Sequence, residues 1–284
     1  MKKIKYLLLI GLIFCLTGCF NNDSMDNIKI TTSIYPVEYI VNYLYGEHSV
    51  IDSIYPKDTD VSSFKITNTL LDQYKSNDLV VFNGLDEEKD YVKYMLKKNK
   101  NLKIIDVTSN MKYDYSIEEL WLDPNNLLTI ANNIRKGFKE YIKSTYLINE
   151  IDENYENLKI ELTTLDGKFY STVKNASNTT IIVSDDAFKY LEKYGIEVIS
   201  LDPDTIKEKN KEDAKRLINN KTCSYVFVKY QENNEYINSF IKDTGASKVE
   251  LYTMTNLKDV NVDKNDYITL MNQNLDALKK ELYK

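Results

Sequence analysis

Two acidic pairs are the residues in this chain best suited to chemistry. Glu118-Glu119 lies just ahead of Trp121, and Asp185-Asp186 separates an apolar run from a helical pattern. Paired carboxylates offer hard oxygen donors to cations. Read alone, however, Glu118-Glu119 also fits a solvated loop, and an Asp at a helix start also caps free N–H groups. Softer donors are scarce, with one histidine, His48, and three cysteines in 284 residues. That scarcity excludes zinc fingers, iron–sulfur clusters, catalysis by Cys with two histidines, and a disulfide framework. The sequence has no Gly-rich phosphate loop, nucleophile elbow or HExxH motif, so an enzyme has no positive support. His48, in Gly46-Glu47-His48-Ser49, reads as an exposed histidine in a helix-to-strand turn. Cys223 opens an apolar run and reads as a small buried hydrophobe.

Charge and composition narrow the class. Forty-three acidic against 37 basic residues give a net charge of -6, which argues against a nucleic-acid partner. A 43% hydrophobic fraction excludes a disordered chain, and 28% charged residues exclude a polytopic membrane protein. The 23 tyrosines read as compositional bias, and residues 89–100 (KDYVKYMLKKNK) as a solvated basic helix. At the amino end, Lys2, Lys3 and Lys5 precede an unbroken apolar run at residues 7–16 (LLLIGLIFCL), too short for a bilayer span. Leu16-Thr17-Gly18-Cys19 then resembles a bacterial lipobox. The expectation is a signal peptide at 1–18, lipidation at Cys19, a polar tether at 19–27, and anchorage on the extracytoplasmic face of the membrane.

The elements that must position the acidic pairs follow from periodicity. Short apolar runs at 28–34, 50–55, 79–83 and 103–107 alternate with helical patterns, and the alternation resumes at 180–184, 196–201, 224–228 and 248–253. Buried runs of this length between helices predict parallel sheets covered on both faces. Asp123-Pro124 is a helix start, with Asp as N-cap and Pro at the first position. Ile151, Tyr155, Leu158, Leu162, Leu165 and Phe169 alternate steps of four and three, the apolar stripe of a long spine helix. The predicted organisation is α/β, with an N-terminal lobe at 28–145, a linking helix at 146–175 and a C-terminal lobe at 176–284.

Five segments carry a family resemblance. Ile30-Thr31-Thr32-Ser33-Ile34-Tyr35-Pro36, Asp78-Leu79-Val80-Val81-Phe82-Asn83-Gly84, Trp121-Leu122-Asp123-Pro124, Val183-Ser184-Asp185-Asp186-Ala187-Phe188 and residues 266–275 (DYITLMNQNL) occur in this order. Together they resemble the cluster A-I metal-binding receptors, the zinc and manganese solute-binding proteins of ABC importers. The resemblance implies a two-lobed receptor that holds a divalent cation as cargo in the inter-lobe cleft, works with an ABC permease and is a monomer. Carried over position by position, the family's four ligands fall on Ser62, Glu119, Asp185 and Met254, with Thr255 as the alternative to Met254.

Every imidazole of the family's site is absent from those positions. A Ser/Glu/Asp/Met set offers oxygens and a thioether where Zn²⁺ usually takes neutral imidazole. Three readings stay open at this point. The cleft takes a harder cation such as Mn²⁺ or Ca²⁺, it has been retuned for another solute, or the fold serves as a surface lipoprotein, an adhesin or interaction module, without metal.

Overall fold

The computed structural model describes residues 23–284. The expected signal segment, Cys19 and the first part of the expected tether lie outside the described residues. Strands β1 (Ile28–Thr32), β2 (Ser49–Ser53), β3 (Leu79–Phe82) and β4 (Lys103–Asp106) form a parallel sheet in the order β2-β1-β3-β4. Strands β5 (Thr180–Val183), β6 (Glu197–Ser200), β7 (Tyr225–Lys229) and β8 (Ser247–Leu251) repeat that order as β6-β5-β7-β8. All four residues of β3 are buried, as the near-continuous apolar strands of a two-sided parallel sheet require. In each sheet the order reverses between the first and third strands, which opens a crevice at their carboxyl ends.

The N-terminal lobe carries α1 (Tyr35–Tyr45), a short α2 (Asn68–Tyr74), α3 (Glu88–Lys98), the single turn α4 (Glu119–Leu122) and α5 (Pro124–Tyr141). Asp123 caps α5 by accepting from the Asn125 N–H at 2.8 Å. The spine is α6 (Thr145–Lys174), whose 30 residues reach roughly 45 Å. Its stripe is buried against α1 and α5 on one side of the molecule. On the other it meets a 3-10 helix (Asp186–Tyr194) and α9 (Tyr267–Leu282) of the second lobe. The second lobe adds α7 (Glu208–Asn219) and α8 (Glu235–Thr244), the latter closed by Gly245 at φ 71°, a conformation that glycine adopts without strain. Cys223 is buried in an apolar cluster, and burial pushes its thiol up to about 11. Among the described residues no helix is long and apolar enough to cross a membrane.

Helix α5 lies close on the first sheet because it presents Gly137 there. A Cβ at that position would stand 2.6–2.8 Å from the side chain of Ile105, a buried residue of β4. Gly137→Ala should therefore lower stability by about 1 kcal/mol, overpacking of ~1–3 kcal/mol outweighing a helix-propensity gain of ~1 kcal/mol. Urea unfolding followed by circular dichroism measures it.

The end of the expected tether does not hang free. Met25 is fully buried, and its carbonyl accepts from the Tyr45 hydroxyl at 2.8 Å. The Asp23 carboxylate accepts the N–H groups of Lys143 at 2.7 Å and Ser144 at 2.5 Å, at the α5–α6 corner. His48 is likewise not an exposed turn residue. Its Nδ1 faces Asp26 at 3.2 Å and its Nε2 faces Glu150 at 3.1 Å, with the Tyr146 ring edge-on. One apolar residue in a polar segment gave no periodic signal, so composition alone missed this docking. Burial opposes a charge on His48, but the hydrogen bonds to Glu150 and Asp26 outweigh it and raise the pKa above 6.5. A raised histidine pKa stabilises fully below the unfolded value and loses its contribution as pH rises through the folded value. The stability deficit of His48→Gln should accordingly be largest near pH ~5.5 and shrink by pH ~8.5, as paired urea titrations would record.

Candidate functional site

The crevices of the two sheets face each other across a cavity of about 460 Å³. From the first lobe come Ile34 after β1, Asp60, Val61 and Ser62 after β2, Asn83, Asp86 and Glu88 after β3, and Ile117, Glu118 and Trp121 after β4. From the second come residues 229–234 at the end of β7, and Thr253, Thr255 and Asn256 after β8. Carboxyl ends of strands on both sides thus supply the walls, where open α/β sheets bind ligands.

The lobes meet there through defined contacts. Trp121 is buried, and its indole N–H donates to the Thr253 carbonyl at 2.9 Å. The Tyr267 hydroxyl returns a bond to the Trp121 carbonyl at 2.6 Å. Lys193 of the 3-10 helix pairs with Asp123 and, at 2.8 Å, with Asp166 of the spine. Gln231 and Met254, in two of the loops at this junction, hold left-handed φ values of 56° and 66°. Such backbone in non-glycine residues costs of order 1 kcal/mol or more and tends to gather at functional sites.

At the centre stands Lys229, the last residue of β7. Its ammonium lies 2.7 Å from Asp185, after β5, and 3.3 Å from Glu118 of the other lobe. Burial works against the ammonium, yet Glu118 and Asp185 hold its pKa above the ordinary lysine value. Glu118, despite its burial, is held below the usual carboxylate range by Lys229 and by the hydroxyl of Ser116. Asp185 is raised, because burial and repulsion from Glu118 exceed what Lys229 and the Ala187 N–H return. Glu118 and Lys229 therefore form a charged pair bridging the lobes.

Glu88, also on the cavity wall, is buried with its carboxylate on the Asn83 N–H at 2.6 Å, and burial pushes its pKa up to about 8. Glu232 accepts from the Ser184 hydroxyl and from the Lys229 N–H at 3.0 Å. Asp60 accepts from both the N–H and hydroxyl of Ser62, at 3.0 and 2.7 Å. The wall is rich in carboxylate, hydroxyl and amide oxygen.

The four residues expected from the sequence do not meet at one point. Ser62 lines the cavity. Asp185 reaches its edge through Lys229 and caps the Ala187 N–H at 2.8 Å. Glu119 points back into its own loop, where its carboxylate accepts the N–H groups of Asp114, Tyr115 and Ser116 at 3.1, 2.7 and 2.9 Å. Its neighbour Glu118 faces the cavity instead, because one residue of helix turns a side chain by about 100°. Met254 is buried and borders a separate void of about 20 Å³, whereas Thr255 reaches the main cavity. Among the described residues no group of three or more His, Cys, Asp or Glu is arranged to hold a metal ion. Lys229 went unmarked in the sequence because an isolated lysine at a strand end looks solvated; only its two acidic partners reveal it.

Comparison with known proteins places this architecture. The iron-binding protein YfeA of Yersinia pestis is 22% identical over 278 residues, covering 91% of this chain and 88% of that one. The Zn(II)-bound ZnuA-like domain of Streptococcus pneumoniae AdcA superposes with a TM-score of 0.73 at 18% identity, covering 91% of this chain and all of that domain. The metal-dependent lipoprotein YcdH of Bacillus subtilis gives a TM-score of 0.73 at 19% identity, with 91% and 100% coverage. A family model described as ZnuA, zinc-uptake complex component A, periplasmic, matches residues 30–281. With nearly the whole described chain matched, this protein belongs to the ZnuA family, the metal-binding extracytoplasmic components of ABC transporters.

Proposed function

We propose that this chain is the capture component of a metal-type ABC importer, anchored by Cys19 on the outer face of the membrane, and that it takes a divalent cation into the inter-lobe cleft. The observation that carries this reading is the charge of the cleft. Asp60, Asp86, Glu118 and Glu232 line it and Asp185 borders it, and a cation, the Lys229 ammonium, already sits where the two lobes meet. The donors within reach are oxygens, without imidazole or thiolate, and oxygen donors suit Mn²⁺ better than Zn²⁺. YfeA is described as iron-binding and the ZnuA-like domain of AdcA as Zn(II)-bound, so the metal differs among relatives of this fold. An ABC permease is the partner that the family implies, with the monomer as the delivering form.

Calorimetric titration of the protein with MnCl2, ZnCl2 and CaCl2 tests the reading. Mn²⁺ should bind, and Glu118→Gln should weaken it at least tenfold. Glu119→Gln should leave Mn²⁺ affinity unchanged while lowering stability by about 2 kcal/mol, since it sets an amide NH2 against one of the three backbone N–H groups and takes the charge from the other two bonds. Silence from all three cations at millimolar concentration would instead favour a surface lipoprotein without metal cargo.

A further inference from the structure

The bridging lysine has a consequence for what the cleft admits. Lys229 is fixed at its backbone, its N–H donating to Glu232 at 3.0 Å, and only the side chain spans the gap to Glu118 and Asp185. That side chain is about one quarter exposed and lines the 460 Å³ cavity, so it has room to swing away. Glu118 and Asp185 come from opposite lobes, and Lys229 answers both with one charge.

We propose that Lys229 is the specificity-determining residue of this cleft: a tethered internal cation on the Glu118–Asp185 position, which a cargo ion must displace in order to bind. This rests on the cation-capture reading above. A cation drawing on both carboxylates cannot share the position with an ammonium, because like charges at contact distance repel in a partly buried site. The tether holds the competitor at a high effective concentration. A monovalent ion offers the two carboxylates no more charge than the lysine does and fails to displace it, whereas a divalent ion offers more. The exchange keeps a positive charge between the lobes at every stage, so the empty protein holds the lobes together through Lys229 as the loaded one does through its ion.

The test compares wild type with Lys229→Met, Lys229→Gln and Lys229→Arg by calorimetry with MnCl2. Thermal unfolding with and without MnCl2 is followed on Trp121, the chain's single tryptophan. Both neutral variants should bind Mn²⁺ at least tenfold tighter than wild type, melt lower without it, and recover more of their stability when it is added. Lys229→Arg, which keeps the charge, should bind no tighter than wild type. If wild type binds Mn²⁺ and the neutral variants bind it equally or more weakly, the competitor role is overturned and cation capture survives. If neither wild type nor the neutral variants bind at millimolar MnCl2, both readings fall together. A neutral variant that folds only when Mn²⁺ is present counts in favour, since the ion then replaces the missing charge.

Discussion

Carboxylates from two lobes repel when brought to one partly buried point, and a positive charge between them offsets that repulsion. Lys229 provides that charge, with its ammonium 2.7 Å from Asp185 and 3.3 Å from Glu118. Taking these groups out of water is costly, and their mutual attraction offsets the cost only because the geometry is close. The rest of the molecule can be understood as what delivers them. Asp185 follows β5 and Lys229 ends β7, the strands on either side of the reversal in the second sheet, while Glu118 enters from the loop ahead of α4.

Holding the two crevices face to face takes more than one ion pair. The spine α6 buries one stripe against both lobes, so the lobes share a single rigid element. Trp121 and Tyr267 brace the junction through backbone carbonyls, and Lys193 clasps Asp123 to Asp166. A second lysine thus bridges two carboxylates by the same logic as the first. The left-handed backbone at Gln231 and Met254 flanks this region and is paid for by the packing around it.

The two-lobed α/β fold was legible because its signals are local: four apolar runs, a break filled by a stripe of steps of four and three, then four more runs. The candidate site was legible only in part. Ser62 and Asp185 were found where the cavity and its edge are, whereas Glu119 and Met254 turn elsewhere, because the side chain that faces a cleft depends on the phase of one helical turn and on the left-handed kink at Met254. His48 and Met25 misled for a similar reason. Their partners, Glu150 and Tyr45, lie 102 and 20 residues away.

By itself the amino-acid sequence determined the two lobes, the spine, the family, and the near-absence of imidazole from an oxygen-rich chain. Composition and periodicity suffice for these, since burial in regular elements imposes its own spacing. Tertiary structure alone decided that Glu118 and not Glu119 enters the cleft, and that a lysine 111 residues away is its partner. It decided too that Asp23 and Met25, in the last part of the expected tether, dock on the first lobe. Those outcomes depend on contacts between residues far apart in the chain, and no local pattern encodes which charge will be left without a partner until the lobes close around it.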